Sequence, residues 1–328
     1  MLQDSFFTAI PYADGSMVLD LRTAYQEKIK ENLSIIISAI SETFNTDLSD
    51  LLETVSALDT EKRYSSALHS ISVNLESAYS QKDFSKIVAT LKSFQSLSPD
   101  SFYSENFSFD TVYGDFYDEN LEDLLRTQDD VSEDYDGQQP EIRKLDDDEL
   151  KKYLPYAESA LEKIKEVDPD FRNEIDTHIS RIKFFKGQLV TGISGLITFG
   201  TIYLRLPKPG YNPLSYFVEH FTHETSHYHL HSLMGFDPLI LNSPEKRYPA
   251  PIRKDLRPLY GIFHATFVLS RIVRILSKLD QKHSGVFYED LIKTRKQFEL
   301  GLSTIRTYAE LTERGKLVAS SLEKTALA

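Results

Sequence analysis

Residues Asn212–Gly235 read NPLSYFVEHFTHETSHYHLHSLMG. Asn212-Pro213 is a helix start: the asparagine side chain accepts from free first-turn amides, and proline is tolerated at the first helical position. Gly235 supplies the matching stop. The spacing between them predicts one helix over Pro213–Met234, and five of the nine histidines lie between His220 and His231. At 3.6 residues per turn His223 and His227 share a face one turn apart, so both imidazoles reach a single metal ion. Glu224 falls on the flank of that face, within reach of a metal-bound water. His220 and His231 point to the same side, and His229 points away. Zinc peptidases use such a helix to supply two ligands and a general-base glutamate. A His-Glu-x-x-His match arises by chance in roughly one chain in a hundred of this length, so its surroundings decide its weight.

Upstream, Gln188–Leu206 is rich in β-formers (Val190, Ile193, Phe199, Ile202, Tyr203) punctuated by Gly192, Gly195 and Gly200, which predicts two short strands. Two helices are expected before it, over Asp146–Val167 and Asp168–Phe185. Ser16–Gln95 carries apolar residues at three- and four-residue spacing, with Asp47, Asp59 and Asp83 as N-caps. Ser98–Gly114 reads as irregular, and Asp129–Asp148 as a loop broken by Gly137 and Pro140. The expected fold is mainly α with a small β-hairpin or sheet preceding the metal-motif helix, an α+β class. Three regions are expected: an N-terminal helical region (1–127), an acidic linker (128–148) and a metal-binding catalytic region (149–328).

Composition narrows the function. The 328 residues are 41% hydrophobic and 27% charged, with no cysteine, so any metal binds through imidazole and carboxylate. The absence of cysteine suits a reducing cytoplasm, which is the expected location. Neither a signal-peptide pattern nor an apolar run of about 18 residues is present, so no membrane association is expected. The net charge of −13 comes from Glu105–Glu149, where 17 acidic residues face three basic ones. That block reads as a solvated linker or a docking surface for a basic partner such as a peptide. No basic face exists for nucleic acid.

A metal site needs a third ligand. Leu233 stands where a metzincin would carry its third histidine, and Glu245 is a possible distant carboxylate. His264 is the stronger candidate: it lies on a helix expected over Pro258–Leu279 that is apolar on several sides, and a buried imidazole needs a partner. Between the two helices runs YPAPIRKDLRP, from Tyr248 to Pro258. Its three prolines stiffen a segment carrying Arg253 and Arg257, suited to clamping a carboxylate co-substrate through paired donors.

The combined pattern is more specific than the pentapeptide. His223-Glu224-x-x-His227 is followed by Tyr248, Pro251, Arg253, Asp255, Arg257, Pro258, Leu259, Gly261 and His264. This order resembles the aKG-HExxH-type peptide β-hydroxylases, HExxH-motif proteins of ribosomal peptide-modification gene clusters, over about Gly187 to Ile275. The resemblance implies an Fe(II)- and 2-oxoglutarate-dependent dioxygenase that hydroxylates a side-chain β-carbon in a precursor peptide, with dioxygen as co-substrate. It implies His223, His227 and His264 as iron ligands and Arg253 or Arg257 as the 2-oxoglutarate anchor, with Glu224 orienting a ligand or water. Ile252, Leu256 and Ala265 replace the family's tryptophan, proline and glycine. Three histidines would also differ from the two-histidine, one-carboxylate triad usual for such iron enzymes, so Glu224 and Asp255 stay open as ligands. Two alternatives stand beside this reading: a zinc metallopeptidase with Glu224 as general base, and a non-catalytic peptide-binding partner protein. Oligomeric state leaves no mark in the sequence.

Overall fold

The computed structural model describes residues 2–112 and 141–327, which form ten α-helices and a five-stranded mixed sheet. The chain is mainly α with a small sheet ahead of the motif helix, as expected. The helices are α1 (Gly15–Phe44), α2 (Ser49–Ser56), α3 (Ser66–Gln81), α4 (Phe84–Ser96), α5 (Asp147–Val167), α6 (Pro169–His178), α7 (Pro213–Met234), α8 (Leu259–His283), α9 (Tyr288–Tyr308) and α10 (Glu313–Leu327). The strands are β1 (Ser108–Thr111), β2 (Glu141–Arg143), β3 (Arg181–Gln188), β4 (Gly192–Ile193) and β5 (Thr201–Arg205). Two compact units result, and they interleave along the chain: 1–21, 151–176 and 207–328 in one, 22–150 and 177–206 in the other.

The second of these units holds the sheet. β3 runs parallel to β1 and to β5, while β4 returns antiparallel to β5 and β2 antiparallel to the end of β3. The expected hairpin is the β4–β5 pair, with Ile193 opposite Tyr203. Val112, Ile142, Phe185, Val190, Ile193 and Tyr203 form one buried cluster.

Four local expectations differ from the structure. The helix expected over Asp168–Phe185 ends at His178, and Arg181–Gln188 is the central strand. Ile182, Lys183, Phe184 and Phe185 are buried in succession, the mark of a strand covered on both faces. Within the expected irregular stretch Ser98–Gly114, Ser108–Thr111 pairs with β3. Of the expected acidic linker, 128–140 lies outside the described residues, whereas Glu141–Arg143 is strand and Asp147–Val167 is helix. Asp83 caps α4 by accepting from Lys86 N, but Asp59 sits in a turn and accepts from Glu61 N, seven residues before α3 begins.

The first unit is built on α8, which packs against α7, α9 and α10. Ile262, Phe263, Phe267, Ile272, Ile275 and Leu276 bury different sides of α8, as expected of a core helix. Among the described residues it is the one helix long and apolar enough to cross a membrane, and 83% of its most apolar window is buried inside the protein. Gly301 of α9 permits a close approach to α8: a Cβ there would stand 2.2 Å from Thr266 Oγ1 and 3.3 Å from Pro251 Cβ.

Candidate metal centre

Asn212 starts α7 as its sequence dictates, with Oδ1 accepting from Leu214 N at 3.0 Å and Ser215 N at 3.3 Å. Ser215 Oγ donates to Asp290 Oδ2 of α9, which ties down the first turn. Gly235 ends the helix in a right-handed conformation (φ −57°, ψ −23°) rather than the left-handed one its identity suggested.

On one face of α7, His223 Nε2 and His227 Nε2 are 3.1 Å apart, with ring centroids separated by 4.9 Å. Two nitrogens each about 2.1 Å from one ion, with roughly 90–110° between the bonds, stand about 3.0–3.4 Å apart. The pair has the separation of two ligands on one metal. Glu224, 6% exposed, brings a carboxylate oxygen within 4.8 Å of both ring nitrogens. The three side chains therefore bring two imidazoles and one carboxylate within 4.8 Å of one another. That donor set fits iron(II) or zinc(II), and the absence of cysteine leaves no thiolate to favour softer ions.

His264, 7% exposed on α8, stands beside this group rather than in it. Its ring centroid is 6.0 Å from that of His227 and 5.3 Å from that of His231, and its Nε2 is 3.1 Å from Met234 Sδ. Tyr260, 48% exposed, lies against His264 with centroids 4.3 Å apart. Tyr216 covers His220 at 4.0 Å, so a row of rings runs along α7 and across to α8.

Burial holds the His227 imidazole well below the usual histidine range, and His223, His264 and His231 reinforce the effect. His264 is shifted the same way, by burial and then by His231. Burial brings His231 to about 4. These rings are neutral at neutral pH, the form that offers a lone pair to a metal. Glu219 was missed by sequence reasoning. Its carboxyl is raised, chiefly by burial, with the charge of His223 opposing that shift. The signal was present, since Glu219, His223, His227 and His231 recur every four residues on one helical row.

The opposite face of α7 is held by a buried ion network. His229 Nδ1 is 3.1 Å from Glu174 Oε1, and Arg271 of α8 makes a two-pronged pair with the same carboxylate at 2.6 and 2.5 Å. Arg271 also donates to Ala9 O at 3.0 Å and lies over the rings of Phe171 and Phe267. His229 thus points away from the motif face and meets Glu174 instead.

The segment between the helices closes on itself through a Tyr248–Arg257 bridge, with backbone bonds of 2.8 and 2.9 Å. Thr304 of α9 donates to Pro249 O. Arg257 Nε is 2.6 Å from Asp255 Oδ2, and Arg253 lies on the exposed stretch between. The structure therefore places Asp255 against an arginine, and both arginines on an anchored loop that precedes the His264 helix. No protein-family model matches this sequence, and a comparison with curated proteins gives no match.

Proposed function

We propose that this protein is an iron(II)- and 2-oxoglutarate-dependent oxygenase that hydroxylates a side-chain β-carbon in a ribosomally made precursor peptide. The observation that carries the reading is the His223–Glu224–His227 group, two imidazoles at ligand separation with a buried carboxylate alongside. Two histidines and one carboxylate are the donor set of non-haem iron oxygenases. The order of arginines, prolines and His264 that follows is what resembles the peptide hydroxylases.

When bound, iron and 2-oxoglutarate supply oxidative chemistry that consumes dioxygen and yields succinate and carbon dioxide. The chain's residues bind and orient. His223 and His227 hold the metal, and Glu224 is the third donor favoured by its position. His264 and Met234 wall the site on the α8 side, His264 remaining the alternative third donor. Arg253 or Arg257 anchors the carboxylate of 2-oxoglutarate, Arg257 standing beside Asp255.

The test is co-expression with a short peptide encoded beside the gene, followed by mass measurement. A gain of one oxygen that disappears in His223→Ala supports the proposal. The position of Glu224 equally suits a general base on zinc-bound water, the peptidase reading; two peptide fragments formed without dioxygen would establish that instead.

A further inference from the structure

Beside the His223–Glu224–His227 group stands a second set of metal donors, on the last turn of α7 and the second turn of α8. His231 and Met234 are three residues apart on α7, so their side chains are neighbours on one face. His264 comes from α8, which packs against α7. Its Nε2 is 3.1 Å from Met234 Sδ, and its ring centroid is 5.3 Å from that of His231. All three residues belong to the same compact unit.

These spacings suit donors that share an ion. A nitrogen about 2.0 Å and a sulfur about 2.3 Å from one metal, with roughly a right angle between the bonds, stand about 3.1 Å apart. Two imidazoles bound through ring nitrogens at about 2.0 Å, roughly 110–120° apart, put their centroids about 5.1–5.4 Å apart. The His227 ring, 6.0 Å from His264 and 6.3 Å from His231, lies farther from both than that. A hydrogen bond gives the His264–Met234 contact little reason, because a thioether is a weak acceptor. His231 and Met234 are half-buried, so an ion reaches them without unfolding.

We infer that His231, Met234 and His264 form a copper(I) site, separate from the group on the motif. The donor chemistry selects the ion. Thioether sulfur favours soft copper(I), while imidazole serves copper as readily as iron or zinc. Among the described residues, no group of three donors that includes a carboxylate contains His231 or His264. Two imidazoles and a thioether form an uncharged set, which suits a monovalent ion better than a hard divalent one. The inference does not rest on the oxygenase reading, since none of its donors is His223, Glu224 or His227.

The experiment is anaerobic titration of the full chain with copper(I) in competition with the chromophoric chelator bicinchoninate. X-ray absorption of the loaded protein reads the donors. One copper per chain is expected, with nitrogen neighbours and a single sulfur at about 2.3 Å. Loss of a partner that only orients a ligand already weakens metal binding about 10–100-fold, so Met234→Leu, which removes a donor, should weaken it about a hundredfold or more. That change nearly conserves volume, so the fold is kept and the sulfur signal alone should vanish. His231→Ala should weaken binding in the same way. His223→Ala should keep the copper while losing iron, which separates failure of this inference from failure of the oxygenase reading. A chelator that strips all copper from the natural protein would overturn the inference. So would equal binding by Met234→Leu, a spectrum without sulfur, or copper lost in His223→Ala, which would place the ion on the motif pair.

Discussion

Replacing Arg271 by methionine tests whether the buried network behind α7 holds the metal helix. The guanidinium is fully buried and Glu174 is 1% exposed. Both carboxylate oxygens accept from Arg271, at 2.6 and 2.5 Å, and one also lies near His229 Nδ1. Methionine fills similar space but leaves the carboxylate buried without its cation. Removing one partner of such a pair costs about 3–5 kcal/mol. For a unit of this size that corresponds to a fall in unfolding midpoint on the order of 10 °C. The assay is urea unfolding of Arg271→Met, Glu174→Leu and the double variant. The double variant should recover much of the loss, because well-packed apolar pairs often match the buried ions they replace.

The pH dependence has a definite sign. Burial alone would raise the Glu174 carboxyl, but Arg271 and His229 outweigh it and hold the group far below its ordinary range. Glu174 therefore stabilises the fold above its unfolded pKa of about 4.3, and this contribution is lost as pH falls below that value. Glu174→Gln should lack that part of the acid-side decline. A cost below about 1 kcal/mol for Arg271→Met, or a double variant weaker than both single ones, would refute the reasoning.

Two further substitutions probe the frame of the site. Gly301→Ala forces a methyl to within 2.2 Å of Thr266 Oγ1 and 3.3 Å of Pro251 Cβ. It should cost about 1–3 kcal/mol in chemical denaturation, and an unchanged midpoint would contradict the close approach of α8 and α9. Asn212→Ala removes the acceptor for two first-turn amides of α7, at an expected cost of about 1 kcal/mol, while Asn212→Ser should retain most of the stability. Equal loss in both variants would mean that the cap is not what Asn212 contributes.

The motif helix was legible because its information is local. Asn212-Pro213 marks the start, Gly235 the end, and a four-residue step places His223 and His227 together. The His264 helix was legible for the same reason, its apolar residues predicting a buried element close to Leu259–His283. β3 was not. Its residues RIKFFKGQ follow a helix without a breaker, and its strand character comes from β1 and β5 on either side, partners 73 and 20 positions away in the Arg181 register. Lys183, buried among apolar neighbours, further blurred the run. His264 shows a finer limit: sequence puts an imidazole on the right helix, but cannot show that Met234, 30 residues earlier, lies against its Nε2. Glu219 lies one turn before His223 in the sequence, but its burial comes from packing that the spacing alone does not show. The interleaving of segments into two units leaves no trace in local composition.

The proposed chemistry requires His223, Glu224 and His227 to bind one metal ion together. Anaerobic titration of the purified chain with iron(II), followed by 2-oxoglutarate, reads this directly. One iron per chain and a weak visible charge-transfer band on adding 2-oxoglutarate are predicted for the natural protein, with both lost in His223→Ala and His227→Ala. Iron binding that survives both substitutions, or a protein that takes up only zinc and gives no band, would contradict it.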